Sequence, residues 1–331
     1  MSSPGGRERR PRSSRRPPSR LSLRVEESDR GLQLAAFCVQ RGGISLEEAR
    51  ASIQRGGTYI NGKRVHDAEH LLVPGESIEL HLRERGEAPH AEALAAERIL
   101  HSDGQVIAID KPAGVLAQEG LAGGPDLPSL TSALLAARGE ASSALLVHRL
   151  DRGTTGVTLL ARTRAAQSAL LEAFRGGLVE KEYLALCAIP PDRDGSELAD
   201  EFVVELALGA DERIAGNRKP DPMGDAARTR FRVLERWPQV ALIAAFPETG
   251  RTHQIRVHLA SNGLPLLGDA RYGGPRLITR PDGARLDLTR PMLHARALTA
   301  PHPAGGTLHV ESPRPADLLA ALEFLAGTAR T

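Results

Sequence analysis

The sequence predicts an α+β fold, with a mixed, largely antiparallel sheet and a small α+β module ahead of it. Three observations carry this. The apolar runs beyond residue 97 do not alternate in a strand-helix-strand rhythm. No Gly-rich nucleotide loop follows any of them, which disfavours dinucleotide-binding and P-loop folds. The first part of the chain has a helix-helix-hairpin pattern of its own. The expected organisation is a disordered Arg-rich tail over 1–22, a small module over 23–85, a linker over 86–97 and a larger domain over 98–328.

Within the module, Asp29 precedes a helical stretch through Leu32, Leu34, Ala35, Ala36 and Val39, closed by Gly42-Gly43. Ser45 and Glu48 form a Ser-x-x-Glu capping box for a second helix that ends at Gly56-Gly57. Residues 58–65 read as a hairpin on Asn61-Gly62, Pro74-Gly75 as a turn, and Ile78, Leu80 and Leu82 as one face of a strand. In the larger domain, strands are expected at Val106–Ile109, Val157–Ala161, Lys181–Ile189 and Val240–Phe246. Helices are expected at 164–175, stopped by Gly176-Gly177, at 252–261, closed by Asn262-Gly263, and at 316–326 with Leu318, Leu319, Leu322 and Leu325 on one face.

Composition narrows the class. A hydrophobic fraction of 41% and a charged fraction of 25% belong to an ordinary globular protein. No apolar run is long enough to span a membrane, and the Arg-rich start lacks a signal-like apolar segment. Cys38 and Cys187 alone make neither a disulfide framework nor a zinc site, so a cytoplasmic setting is expected. The first 20 residues hold seven Arg and one Glu, a net of +6 within a total of +2, which leaves the remainder at −4. A segment so rich in Arg, Ser and Pro cannot build a core, and serves either as an arm on RNA phosphates or as a solubilising tail. Any wider case for nucleic acid must rest on local patches, because the folded part is mildly acidic.

The chemistry is concentrated in two runs, His148-Arg149-Leu150-Asp151-Arg152-Gly153-Thr154-Thr155-Gly156 and Gly250-Arg251-Thr252-His253-Gln254-Ile255-Arg256-Val257-His258. The first sets one carboxylate between two arginines. The second offers cations and amides to meet it. A lone Asp kept ionised by Arg suits nucleophilic or base chemistry on a polyanion. His253 and His258 are five apart, about 140° round a helix, a poor spacing for sharing a metal. The order His-Arg-Leu-Asp, without a Gly-rich loop or Asp-Phe-Gly, rejects a kinase.

Across roughly residues 97–325 these motifs resemble the RluA family of pseudouridine synthases. The resemblance rests on Asp110-Lys111-Pro112-Ala113-Gly114 and on His148-Arg149-Leu150-Asp151 with Thr154-Thr155-Gly156, where Thr155 stands for a more usual Ser. It continues through Lys181-Glu182-Tyr183, the Gly250–His258 run, Gly268-Asp269, Tyr272-Gly273, Leu293-His294-Ala295 and His302-Pro303. Ahead of it, Gly57, Ile60, Asn61, Gly62, Lys63 and Pro74-Gly75-Glu76 resemble an S-four-type RNA-binding module, although 21–85 hold nine Lys/Arg against ten Asp/Glu.

The family resemblance implies the pseudouridine synthase fold and isomerisation of a flipped-out uridine, with no cofactor and no metal. It implies Asp151, Tyr183 and Arg256 as catalytic residues, with Arg256 pairing with Asp151 and Tyr183 stacking on the base and taking the carbon-5 proton. Arg149, Lys111, Arg152, Lys181, Arg251, His253 and Gln254 would face the substrate, and Asn61, Gly62, Lys63 and Arg64 the RNA beside the module. RNA is the expected partner, large-subunit ribosomal RNA first and transfer RNA second, acted on by a monomer. A non-catalytic RNA-binding or ribosome-assembly factor and a base-excising glycosylase are the rival readings.

Overall fold

The computed structural model describes residues 20–327, apart from 55–56, 66, 82–92, 119–125, 141–142, 192–194, 196–197, 215 and 281. The described residues fall into two compact units, over 20–81 and over 93–327.

The first unit runs β1 (Arg20–Arg24), α1 (Leu34–Gly42), α2 (Leu46–Gln54), β2 (Thr58–Ile60), β3 (Lys63–Val65) and β4 (Ser77–His81). Its strands form an antiparallel sheet in the order β1-β4-β2-β3. Leu34, Phe37, Ala49 and Ile53 of the helices pack with Ile60, Ile78 and Leu80 of the strands in one core. The capping box forms, with the Ser45 N–H donating to Glu48 at 2.9 Å and the Glu48 N–H to the Ser45 hydroxyl at 3.1 Å. Asn61 and Gly62 have φ of 50° and 76°, the positive pair that a tight hairpin turn needs.

Several expectations need correction. Residues 20–22, assigned above to the tail, begin β1 and pair with β4; residues 1–19 lie outside the described residues. Asp29, expected just ahead of the first helix, lies five residues before it. Its carboxylate accepts from the Glu26 N–H and the Arg41 guanidinium, and the helix starts later, at Leu34, with Gln33 as its cap. Within the expected linker, Leu94 is buried among Ile107, Ile109 and Leu127 of the second unit. The end of α2 at Gly56 and the strand residue Leu82 lie outside the described residues.

The second unit begins with β5 (Ile99–Ser102), β6 (Val106–Lys111), α3 (Leu127–Ala137), β7 (Leu145–Leu146), β8 (Thr155–Ala161), α4 (Arg164–Arg175) and β9 (Glu180–Ala188). It continues through β10 (Glu201–Glu205), β11 (Leu208–Ala210), β12 (Arg218–Pro220), β13 (Arg228–Trp237), β14 (Val240–Pro247) and α5 (Gln254–Ser261). It closes with β15 (Leu277–Thr279), β16 (Arg285–Asp287), β17 (Leu293–Pro301), β18 (Thr307–Glu311) and α6 (Ala316–Ala326). The main sheet follows the order β10-β13-β14-β9-β17-β8-β6-β5, with β18 on β17 and β7 on β8. It is a mixed, mostly antiparallel sheet whose parallel pairing is β8 with β17.

The strand period of two divides the core. Ala185 and Cys187 of β9 join Ile255 and Leu259 of α5 on one side, while Leu184 and Leu186 join Leu318 and Leu325 of α6 on the other. Buried Val157, Leu159 and Ala161 of β8 pack with Ala166 and Leu170 of α4.

Lys111, Gly156, Ala295, Tyr183, Ala245 and Phe231 form one register row across adjacent strands β6, β8, β17, β9, β14 and β13. Gly156 has φ +109°, and a Cβ there would stand 2.1 Å from the Ala295 carbonyl oxygen. Only glycine lets the strand after the Asp151 loop approach β17 this closely.

Candidate active site

Asp151 lies in the turn between β7 and β8, whose geometry is set by hydrogen bonds from below. The Thr154 N–H returns to the Asp151 carbonyl at 3.0 Å, and the Gly114 N–H donates to the Arg152 carbonyl at 2.8 Å. Lys111 is fully buried beneath this turn and donates to the carbonyls of Pro112 (3.0 Å), Val115 (2.9 Å) and Arg152 (3.4 Å). Burial pushes the Lys111 amine down to about 7, against the opposing pull of Asp151. Arg290 adds a further clamp, donating to the carbonyls of Gly153 (3.4 Å) and Leu293 (3.0 Å) while its fork grips Asp317 at 2.6 and 2.8 Å.

The other half of the site comes from α5. Arg256 projects from its first turn, buried, and donates through Nε and Nη2 to Asp269 at 2.7 and 2.8 Å. Its Nη1 then reaches Asp151 Oδ2 at 3.0 Å. Burial works against the Arg256 charge, but the two carboxylates outweigh it and hold its pKa above the ordinary range. The guanidinium also lies over the Tyr272 ring, 4.9 Å from its centroid. His253 caps α5 in the left-handed conformation, φ 59° and ψ 15°, with Nε2 at 3.8 Å from Asp151 Oδ2. Burial lowers its pKa, so the imidazole is neutral at pH 7.

A cleft of about 410 Å³ opens over these groups, within the size range of ligand sites. Its lining includes Arg149, Asp151, Lys181, Tyr183, Arg251 and Arg256. Tyr183 stands on β9, partly buried, and burial together with the Asp151 charge pushes its phenol pKa up. Burial likewise lowers Lys181. His148 accepts the Leu159 N–H at 2.8 Å and stacks on Phe174, and burial, with the Lys181 charge, takes it down to about 3. The cleft carboxylates are Asp151 and Glu248, and Glu248 is ion-paired with Arg228.

The structure sorts the sequence-derived site residues. Asp151, Tyr183, Arg256, Arg149, Lys181, Arg251, His253 and Gln254 line the cleft; Lys111 and Arg152 do not. Lys111 therefore adds nothing to a positive surface. Arg152 is exposed and donates to the Gly114 carbonyl at 3.0 Å, bracing the loop. Gln254 is buried and ties the Arg228 carbonyl (3.0 Å) and Thr229 hydroxyl (2.9 Å) to the Arg251 N–H (2.9 Å), so it shapes the wall. Arg149 holds the Thr252 hydroxyl at 2.7 Å, linking the two motif runs. In the first unit, Asn61 accepts from the Ser77 N–H at 2.9 Å, fixing the hairpin to β4. The side chains of Lys63 and Arg64 lie outside the described residues.

The sequence reading assigned no role to Asp269, Tyr272 or Arg290. The first two sit in quoted motifs, and a buried acid two turns past a helix of cations is a signal for a salt-bridge partner. Arg290 carried no local sign. Among the described residues, one group has metal-ligand types, His101, Asp103 and His302, away from the cleft. The Ala304 N–H donates to His302 Nδ1 at 3.2 Å, which leaves Nε2 carrying the proton that faces Asp103 at 3.0 Å. In that tautomer the His302 Nε2 offers no lone pair to a cation.

The family model described as RNA pseudouridylate synthase matches residues 105–261, the span that contains Asp151, Tyr183 and Arg256. Ribosomal large subunit pseudouridine synthase C of Escherichia coli (strain K12) is 32% identical over 319 residues, covering 93% of this chain and 97% of that protein. An uncharacterized RNA pseudouridine synthase of Mycobacterium bovis is 32% identical over 315 residues, covering 92% and 98%. The solved structure of human RNA pseudouridylate synthase domain containing 4 matches with a TM-score of 0.52 and 26% identity, over 70% of this chain and 93% of that one.

Proposed function

The chain belongs to the RluA family of RNA pseudouridine synthases, enzymes that isomerise uridine to pseudouridine, and from that premise we propose that Asp151 is the reacting carboxylate. The observation that carries the assignment is the Arg256 fork, which spends one nitrogen on Asp151 and two on buried Asp269. A cation so held cannot turn away to solvent, and it sets a fixed positive charge beside the carboxylate in the cleft.

The reaction breaks the bond from the ring nitrogen to ribose, turns the uracil and rebonds ribose to carbon 5. Nothing is oxidised and no water is consumed. Asp151 acts on the sugar, as nucleophile at the anomeric carbon or as base. The target uridine leaves its stack to enter the cleft, at a cost of a few kcal/mol. Stacking on the Tyr183 ring returns about 1–3 kcal/mol of it. Tyr183 enters the reaction as a neutral phenol, a weak resting base. Its part in removing the carbon-5 proton is to take that proton while giving its own to Asp151 in the same cleft, and the proton that Asp151 then releases is matched by the one the freed ring nitrogen gains. Arg149, Lys181 and Arg251 supply positive charge at the rim for the flanking phosphates.

The first unit serves as an S-four-type RNA-binding module, with Lys63 and Arg64 of its hairpin facing RNA on a turn that Asn61 and Gly62 build. Large-subunit ribosomal RNA is the proposed substrate, supported by the name of the similar protein from Escherichia coli, ribosomal large subunit pseudouridine synthase C, and the cytoplasm is the proposed compartment. The test is tritium release from RNA labelled at carbon 5 of its uridines, comparing wild type with Asp151→Asn. Release from large-subunit ribosomal RNA by wild type alone is expected. Release that persists in Asp151→Asn would remove Asp151 from the mechanism, and release from transfer RNA only would move the substrate.

A further inference from the structure

Among the described residues two side chains bring a nitrogen within 4 Å of the Asp151 carboxylate, and both address the same oxygen. Arg256 Nη1 donates to Oδ2 at 3.0 Å, and His253 Nε2 stands 3.8 Å from that Oδ2. Among the described residues, Oδ1 has no hydrogen-bond partner. What His253 presents to Oδ2 depends on which ring nitrogen carries its proton. A bare Nε2 lone pair would repel the carboxylate, whereas an Nε2–H would add its dipole to the charge of Arg256.

Tyr272 decides between them. Its hydroxyl accepts the Arg218 backbone N–H at 2.9 Å and lies 2.7 Å from His253 Nδ1. Among the described residues it meets no other polar partner. A hydroxyl has one proton to give, and a backbone N–H cannot receive it. Among the described residues Nδ1 is the one acceptor within reach of the phenol proton, and donation to it places the imidazole proton on Nε2. Burial raises the phenol pKa and lowers that of the imidazole, which keeps both groups neutral and this assignment stable at pH 7. The charged groups around the ring are Asp151, Arg256, Arg271 and Asp269.

The backbone tells the same story. His253 adopts φ 59°, a conformation that non-glycine residues rarely hold without compensation from the surrounding structure. Here it lets α5 begin at Gln254 while the ring turns back between Tyr272 and Asp151. Tyr272 meets the ring edge-on, with centroids 5.6 Å apart.

We propose that His253 is a positioning residue for Asp151: Tyr272, itself oriented by the Arg218 backbone, fixes its proton on Nε2, so that Oδ2 is held from two sides and Oδ1 is left as the reacting oxygen. Strand β12 thereby acts on the reaction through Tyr272 and His253. The inference rests on Asp151 being the reacting carboxylate.

Nitrogen-15 spectra of histidine-labelled full-length protein, with the His253 signals assigned by their loss in His253→Gln, read the tautomer directly. At pH 7 wild type should show a neutral ring with a protonated Nε2 and a bare Nδ1. A protonated Nδ1, alone or in an imidazolium, would overturn the proposal whatever the variants do. In Tyr272→Phe the aromatic ring under Arg256 survives and only the hydroxyl is lost. Its spectrum should shift to a mixture of tautomers, and kcat should fall by about tenfold or more, the worth of one hydrogen bond to a charged group, with KM for RNA unchanged. In the His253→Gln background the same change should do nothing further; an equal loss there would show that Tyr272 works independently. Absence of turnover in wild type would instead strike at the reading of Asp151, and the tautomer would still be read.

Discussion

Arg256 reaches Asp151 with the one guanidinium nitrogen that its bidentate pairing to Asp269 leaves unused. The orientation of the site cation is therefore fixed by a residue that never faces the cleft, and this gives a first prediction. Asp269→Asn should destabilise the protein by roughly 3 kcal/mol, since it leaves a buried guanidinium half-compensated. Turnover should fall with it, because Arg256 loses its anchor. Urea unfolding alongside tritium release checks both; full activity with unchanged stability would show that Asp151 alone can hold Arg256.

Lys111 makes stability depend on pH in a defined direction. Its folded pKa, about 7, lies below the unfolded value of 10.5, so the unfolded chain binds more protons between the two. Below pH 7 both states are protonated and the burial penalty is fully present; as pH rises from about 7 towards 10 it is relieved. Wild type should thus gain stability over this window relative to Lys111→Met, by on the order of a few kcal/mol. Parallel unfolding curves of the two proteins across the window would refute it.

Tyr183→Phe and Tyr183→Ala should separate stacking from the hydroxyl. The Phe variant keeps the ring and should bind RNA as wild type does while losing turnover. The Ala variant should also bind more weakly, by about 1–3 kcal/mol. Filter binding together with tritium release distinguishes the two, and turnover retained by the Phe variant would confine Tyr183 to stacking.

Gly156→Ala should be among the most damaging single-methyl changes in the chain. The new Cβ would press on the Ala295 carbonyl in a backbone conformation that alanine avoids, so β8 and β17 must part. A loss of more than about 3 kcal/mol in urea unfolding is expected. Near-wild-type stability would mean that the pairing can shift without harm.

Much of this was legible in the sequence, and the gaps have causes. Helix α4 was expected at about 164–175 from its amphipathic run and the Gly176-Gly177 stop, and it spans Arg164–Arg175 with Thr163 as its cap. The pairing of Arg256 with Asp151 was expected from the family resemblance, whose motifs are contiguous runs; His253 was expected to face the substrate. Helix α3 was missed although Asp126 caps it, its carboxylate accepting the Ser129 N–H at 2.9 Å, and a proline occupies its first turn. Strand β13 was missed although Thr229, Phe231 and Val233 alternate with Arg230 and Arg232; the arginines masked a period of two. Lys111 was placed at the surface on residue type alone, since nothing local reveals three carbonyls converging on its amine. The contact of His253 with Tyr272 depends on one unusual backbone angle, which no pattern of residue types encodes.

The span between the halves of the site also sets its timing. Arg256 is made 105 residues after Asp151, and His294, which meets Thr155 at 3.0 Å beside the β8–β17 pairing, comes 139 residues after its partner. At ordinary synthesis rates of about 5–20 residues per second, the carboxylate emerges roughly 5–20 seconds before its cation. The parallel neighbour of β8 follows later still. The first unit is complete long before then and can form its own core while the second waits. A nascent chain therefore carries its first unit well before Asp151 can meet its cation, and any product truncated ahead of β17 lacks Ala295 from the row of residues that runs beneath the cleft.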